Sequence, residues 1–147
     1  MKAIKKILVP VDFSVNSQKI LQEAQDIAEK FQAQLAVVFV VQSIVDYSGF
    51  FVPHMPITQF EDELQESAKK KMESFLAENL KGGRHESAVL GGDVAEEIVR
   101  YAEEQAADMI VMGTHGYKGM EKILFGSVAE QVVKTAPCPV LTINPYK

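Results

Sequence analysis

Short β-branched runs alternate with helix-period apolar stripes along the whole chain. Ile7-Leu8-Val9-Pro10-Val11 is apolar at nearly every position, as expected of a parallel strand covered on both faces. Ile20, Leu21, Ala24, Ile27, Ala28 and Phe31 then fall on one stripe of a helix. Gln34 to Val41 is the most apolar run and predicts the second strand. A long connection over 42–57 leads to Thr58-Gln59-Phe60-Glu61, whose spacing is that of a capping box, so a second helix is expected from there. Phe60, Leu64, Ala68, Met72, Phe75 and Leu76 supply its apolar face, and Gly82-Gly83 closes it. His85 to Leu90 alternates partly and predicts a third strand. Asp93 is placed to cap a third helix reaching Ala106, with Val94, Ile98, Ala102 and Ala106 turned inward. Asp108 to Met112 is the fourth strand, Ser127 to Ala136 the last helix and Val140 to Ile143 the fifth strand.

The expected product is one α/β domain spanning 1–147, with no linker, repeat or low-complexity tract. Its five strands form a parallel Rossmann-like sheet with helices on both faces. The pattern is compatible with strand order 3-2-1-4-5 or 2-1-3-4-5. In the first, the winding reverses between strands one and four, and a crevice opens at their carboxyl ends. Pro10, Val11 and Asp12 would reach it from one side and Gly113 from the other.

That crevice gives meaning to Gly113–Ser127, GTHGYKGMEKILFGS, which reads G-x2-G-x9-G-S. A strand-to-helix connection of about a dozen residues is long, and long loops tend to be functional. Glycine lets backbone N–H groups approach an anion, and a helix N-terminus adds free donors and a positive dipole end. Gly126, Ser127 and Val128 stand where such an anion would sit. Ser127-Val128-Ala129-Glu130 also spells a capping box, so Ser127 has two candidate roles, helix cap and ligand contact. His115 has two as well, ligand contact and turn residue. Lys118 is a candidate source of positive charge. Lys122 reads as a solvated side chain, and Ile123, Leu124 and Phe125 as residues packing the loop onto the body.

Composition narrows the chemistry. A 47% apolar, 24% charged chain of 147 residues is an ordinary globular domain, and its net charge of −5 offers no global attraction to nucleic acid or membrane. Its apolar runs fall short of a membrane span, so a cytoplasmic location is expected. Cys138 is the single cysteine and reads as a structural thiol between Pro137 and Pro139. His54, His85 and His115 are scattered, with no metal-ligand spacing. Lys69-Lys70-Lys71 reads as a solvated helix face, and Glu61-Asp62-Glu63 as favourable charge near a helix start. The chain contains no G-x4-G-K-S/T P-loop, and its first strand-to-helix turn has no glycine, which argues against conventional dinucleotide binding.

The glycine spacing, the opening Ile7-Leu8-Val9-Pro10-Val11-Asp12-Phe13-Ser14, the segment Met112-Gly113-Thr114-His115-Gly116 and the close Ala136-Pro137-Cys138-Pro139-Val140-Leu141 together resemble the universal stress protein family, in matching order over essentially the whole chain. The resemblance implies the order 3-2-1-4-5 and a homodimer, often formed through the last strand, here Val140, Leu141, Thr142 and Ile143. It also implies ATP in the crevice, with Mg²⁺ as its expected companion. Pro10, Val11 and Asp12 would then meet the adenosine end, with Asp12 on ribose hydroxyls or near a phosphate-bound metal. Val40 would face adenine, and Met112 and Gly113 would flank ribose or phosphates. His115, Gly116, Gly126, Ser127 and Val128 would line the phosphates. Some members of the family lack the glycine signature and do not bind ATP; this chain keeps it complete and so resembles the binding branch. It departs from a typical member in the aromatic 46–56 stretch, where Phe50, Phe51 and Met55 are candidates for core cover, a lid or a contact surface.

Three functions follow as expectations: an ATP-binding regulatory module acting on an unknown protein partner, a slow ATPase or phosphotransferase, and a dimeric interaction protein independent of nucleotide. The first is preferred. Catalysis needs groups that position a nucleophile and stabilise transferring charge, and Asp12 and His115 are the acid–base candidates near the loop.

Overall fold

The computed structural model describes residues 2–42, 57–115 and 126–147. The elements run β1 (Lys6–Pro10), α1 (Val15–Phe31), β2 (Gln34–Gln42), α2 (Ile57–Asn79), β3 (His85–Gly92), α3 (Val94–Glu104), β4 (Met109–Gly113), α4 (Ser127–Thr135) and β5 (Val140–Ile143). All strand pairs are parallel, in the order β3-β2-β1-β4-β5. Of the two orders compatible with the hydrophobic pattern, the fold takes the one that places β1 beside β4.

The period-two alternation of buried strands divides the core between two faces. Ile7, Val9, Leu35, Val37 and Val111 pack with Ile20, Leu21, Ala24 and Ala28 of α1 and Met72, Phe75 and Leu76 of α2. Leu8, Ala36, Val38, Val40, Ile110 and Met112 pack with Ala95, Ile98 and Ala102 of α3 and Ala129 and Val132 of α4. Each buried valine, leucine or isoleucine contributes about 1.5–3 kcal/mol. The sheet is therefore held from both sides by the residues that the apolar stripes single out.

The pairing of β1 positions the crevice. Against β2 its register continues to Pro10↔Val38, and the Val11 N–H still reaches the Val38 carbonyl at 2.8 Å. Against β4 it ends at Leu8↔Ile110. Meanwhile β4 stays paired with β5 as far as Gly113↔Ile143. The carboxyl ends of β1 and β4 thus separate, one following β2 and the other β5. Pro10 has no N–H with which to extend the ladder.

Several local expectations give way to tertiary structure. Phe31 and Leu64 are exposed although they continue their helical stripes. Helix α3 stops at Glu104, and Ala106 is exposed at φ 51°, leaving Ala107 to pack on the core. Helix α2 begins at Ile57, so Thr58 lies within its first turn and Glu61-Asp62-Glu63 lie beyond it. The 46–56 aromatic stretch falls outside the described residues.

Candidate functional site

The separated ends of β1 and β4 open into a cleft of about 840 Å³. Pro10, Val11, Asp12, Val40, Met112, Gly113, His115, Gly126, Ser127 and Val128 all line it. Residues from β1, β2, β4 and α4 that are far apart in the chain share one wall. Gly116, Lys118 and Lys122 lie outside the described residues, with the rest of 116–125.

On the β1 side, the turn into α1 is closed by its own hydrogen bonds. Asp12 Oδ1 accepts from the Ser14 N–H at 3.0 Å, from the Ser14 hydroxyl at 2.5 Å and from the Ser17 hydroxyl at 2.6 Å. The Asp12 N–H donates to Ser17 Oγ at 2.7 Å, and Ser14 Oγ caps α1 by accepting from the Ser17 N–H. Asp12 Oδ2 has no hydrogen-bond partner among the described residues and is the oxygen available to a ligand hydroxyl. Phe13 holds φ at 65°, an uncommon conformation for a side chain of its size. Its ring stacks 4.5 Å from Phe39 and 5.6 Å from Phe75, which locks the turn onto the core.

The β4 side is built differently. Thr114 donates its N–H to the Ile143 carbonyl at 2.9 Å, and its carbonyl accepts from the Gly126 N–H at 2.7 Å. This second bond draws the start of α4 against the end of β4. Gly126 is the N-cap of α4 and provides no side-chain bond. The capping box is therefore not realised. The chain enters the helix at Ser127, and Glu130 pairs with Lys134 at 2.9 Å instead of reaching back. Glu130 is held below its ordinary pKa first by the hydrogen bond from Lys134 and then by its charge. Ser127 does not cap the helix, and the first-turn N–H groups of α4 have no side-chain acceptor among the described residues.

Gly113 sits in close approach to its neighbours. A Cβ there would stand 3.2 Å from the His115 carbonyl and 3.4 Å from Ile20 Cγ1. His115 itself is buried, with Nδ1 2.8 Å from Thr114 Oγ1 and Nε2 unpartnered among the described residues.

Phe13, Ser14, Ser17, Phe39, Thr114 and Lys71 also line the cleft and were not among the expected site residues. Lys71 belongs to the lysine run read as a solvated face. It is exposed, but it stands at the cleft, while Lys69 pairs with Glu66 at 3.3 Å. The hydroxyls of the β1 turn could have been suspected from D-x-S-x-x-S, a spacing suited to a self-bonded turn. Lys71 had no comparable sequence signal.

Away from the cleft, Cys138 packs against the α3–α4 face of the core. Burial, and secondarily Asp108, push its thiol above the ordinary range, as fits a structural role. Among the described residues, no helix is long and apolar enough to cross a membrane, and no cluster of three or more His, Cys, Asp or Glu could hold a metal.

Residues 3–144 match the model of the universal stress protein family. A universal stress protein of Methanocaldococcus jannaschii is 39% identical, the alignment covering 97% of this chain and 84% of the relative. Among solved structures, the universal stress protein UspA from Lactobacillus plantarum superimposes with a TM-score of 0.78 at 29% identity, covering 98% of this chain and all of the other. A universal stress protein from Archaeoglobus fulgidus, solved in complex with dAMP, aligns with a TM-score of 0.59 at 25% identity, over 97% of this chain and all of the other.

Proposed function

This chain belongs to the universal stress protein family, and from that premise we propose that it is an ATP-binding regulatory module. The observation that carries the reading is the cleft's two-sided construction. Among the described residues, a carboxylate with one free oxygen and a helix N-terminus without a side-chain cap both line a cleft of about 840 Å³. One side suits hydroxyls and the other suits an anion, which is the polarity of a nucleoside phosphate. The dAMP complex of the Archaeoglobus fulgidus relative supports the adenine nucleotide class.

The assigned roles follow from that polarity. Asp12 Oδ2 accepts from ribose hydroxyls, and Val11 and Val40 contribute apolar surface beside the base. Met112 and Gly113 flank the sugar and the first phosphate. Ser127 and Val128 donate N–H groups to the phosphates, with the Ser127 hydroxyl beside them; Gly126, whose own N–H is held by the Thr114 carbonyl, leaves room for them to approach, and Gly116 belongs to the same loop. Asp12 is the only carboxylate among the described cleft residues. Mg²⁺ at this site would therefore be held chiefly by phosphate oxygens and water, a common arrangement for this ion. The resting role is grip: bound nucleotide stabilises one state of the loop and the chain signals that state to a protein partner.

We place a homodimer contact on β5, the sheet edge beyond β4. Its Leu141 is 41% exposed, and an uncovered edge strand invites pairing. A cytoplasmic setting fits the same reading.

Calorimetric titration with ATP, ADP and AMP, with and without Mg²⁺, tests the proposal. Saturable ATP binding below about 1 mM is expected. A folded protein that takes up no ATP at that concentration would overturn it.

A further inference from the structure

We infer that the C-terminal tail sets the phosphate selectivity of the cleft, because Tyr146 holds the His115 ring so that Nε2 donates to a bound phosphate. This rests on the nucleotide reading above and adds to it a device for distinguishing a nucleotide from an uncharged nucleoside.

His115 is 5% exposed, and Nε2 has no hydrogen-bond partner among the described residues. Buried polar atoms in native proteins are nearly always paired, and an exception calls for an explanation. The ring lines the cleft, so a ligand there can supply the missing partner. The Thr114–His115 bond leaves the proton arrangement open. A hydroxyl can donate or accept, so Thr114 Oγ1 at 2.8 Å from Nδ1 is compatible with either neutral tautomer. A phosphate oxygen without a proton can only accept. It therefore requires a proton on Nε2, which the Thr114 contact permits because that hydroxyl can donate to Nδ1 or accept from it.

Tyr146 packs against this ring. The two rings lie edge to face, with centroids 5.4 Å apart and planes at 62°. His115 lines the cleft, and the Tyr146 hydroxyl accepts from Nδ2 of Asn16, another cleft residue, at 3.5 Å, so the tail flanks the imidazole at the cleft margin. The tail is itself tied down. Lys19 Nζ donates to the carbonyls of Pro145 at 3.2 Å and Lys147 at 2.7 Å, and the Tyr146 N–H donates to Asn144 Oδ1 at 2.9 Å. The bonds from Thr114 to Ile143 and from Gly126 to Thr114 continue the connection from β5 to the start of α4. The tail, His115 and the α4 N-terminus thus form one linked unit. Tyr146 is a positioning residue in it, and His115 makes the ligand contact.

The test titrates ATP and adenosine into the full chain and into His115→Phe, Tyr146→Ala and Tyr146→Phe. His115→Phe keeps an aromatic ring against Tyr146 but removes the donor, and the ATP-to-adenosine affinity ratio should fall about tenfold, as for a lost hydrogen bond to a charged group. Tyr146→Ala should lower the ratio about three- to tenfold, and Tyr146→Phe should restore it by keeping the ring contact. In imidazole ¹⁵N spectra, the Nε2 signal that disappears in His115→Phe should shift on addition of ATP and stay in place with adenosine. An unchanged ratio in folded His115→Phe, or an Nε2 signal that responds equally to both compounds, would overturn the inference while ATP binding itself stood. A wild-type chain that binds neither compound would overturn the nucleotide reading and this inference with it.

Discussion

Among the helix N-termini that border the cleft, those of α1 and α4 contrast: among the described residues, a side chain closes the first and none closes the second. At α1, Ser14 caps the helix, and Asp12 Oδ1 gathers the Ser14 N–H and the hydroxyls of Ser14 and Ser17. At α4, Gly126 occupies the cap position with no side-chain bond, and Glu130 has turned away to Lys134. A helix end whose donors are satisfied internally is a structural support. One whose donors open into a cleft is prepared for an anion. In the proposed reading, this contrast orients the nucleotide, with phosphate toward α4 and ribose toward Asp12. Asp12 engages one oxygen in the fold and, in the proposed reading, offers the other to the ligand.

The sharpest way to break this comparison is at Asp12. Asp12→Ala removes the acceptor shared by three donors, and a loss of about 3 kcal/mol in denaturant-monitored stability is expected. Stability within about 0.5 kcal/mol of wild type would show that the turn does not depend on its carboxylate. Gly126→Val should leave the fold intact, because φ −71° and ψ 154° suit any residue. Its side chain should nevertheless obstruct the anion position and weaken ATP binding at least about thirtyfold, or about 2 kcal/mol. Normal affinity in that folded variant would move the phosphate elsewhere. The serines then provide the matched pair. Ser14→Ala should cost about 1 kcal/mol as a lost cap, whereas Ser127→Ala should change stability by less than about 0.5 kcal/mol and lower ATP affinity about fivefold. Equal destabilisation by the two substitutions would mean that α4 is capped after all.

Most of the fold is legible in the chain because burial on both faces of a parallel sheet leaves a strong mark. Ile7 to Val11 and Gln34 to Val41 could hardly be other than buried strands, and the α1 stripe from Ile20 to Ala28 could hardly face water. The stripe fails at its end: Phe31 continues the period but is 47% exposed, since the helix has run past the sheet that would cover it. Of the two candidate roles of Ser127, the cap is not realised, for a related reason. Ser-x-x-Glu describes a local preference, but the Gly126 N–H is held by the Thr114 carbonyl, and that nonlocal bond decides where the chain turns into α4. The strand-end and glycine residues of the cleft were legible from their spacing and from the family resemblance. Lys71 and Tyr146 were not. Their positions depend on how α2 and the C-terminal tail settle against distant elements, and neither is marked by a local pattern.

The central claim is that nucleotide phosphate sits on the open helix end and not on the closed one. Backbone amide NMR during an ATP titration tests it most directly. The account predicts the largest shifts at the Gly126, Ser127 and Val128 amides, with the Ser14 and Ser17 amides of the α1 turn moving little. Saturation with ATP that leaves the α4 amides in place while the α1 amides move would contradict it.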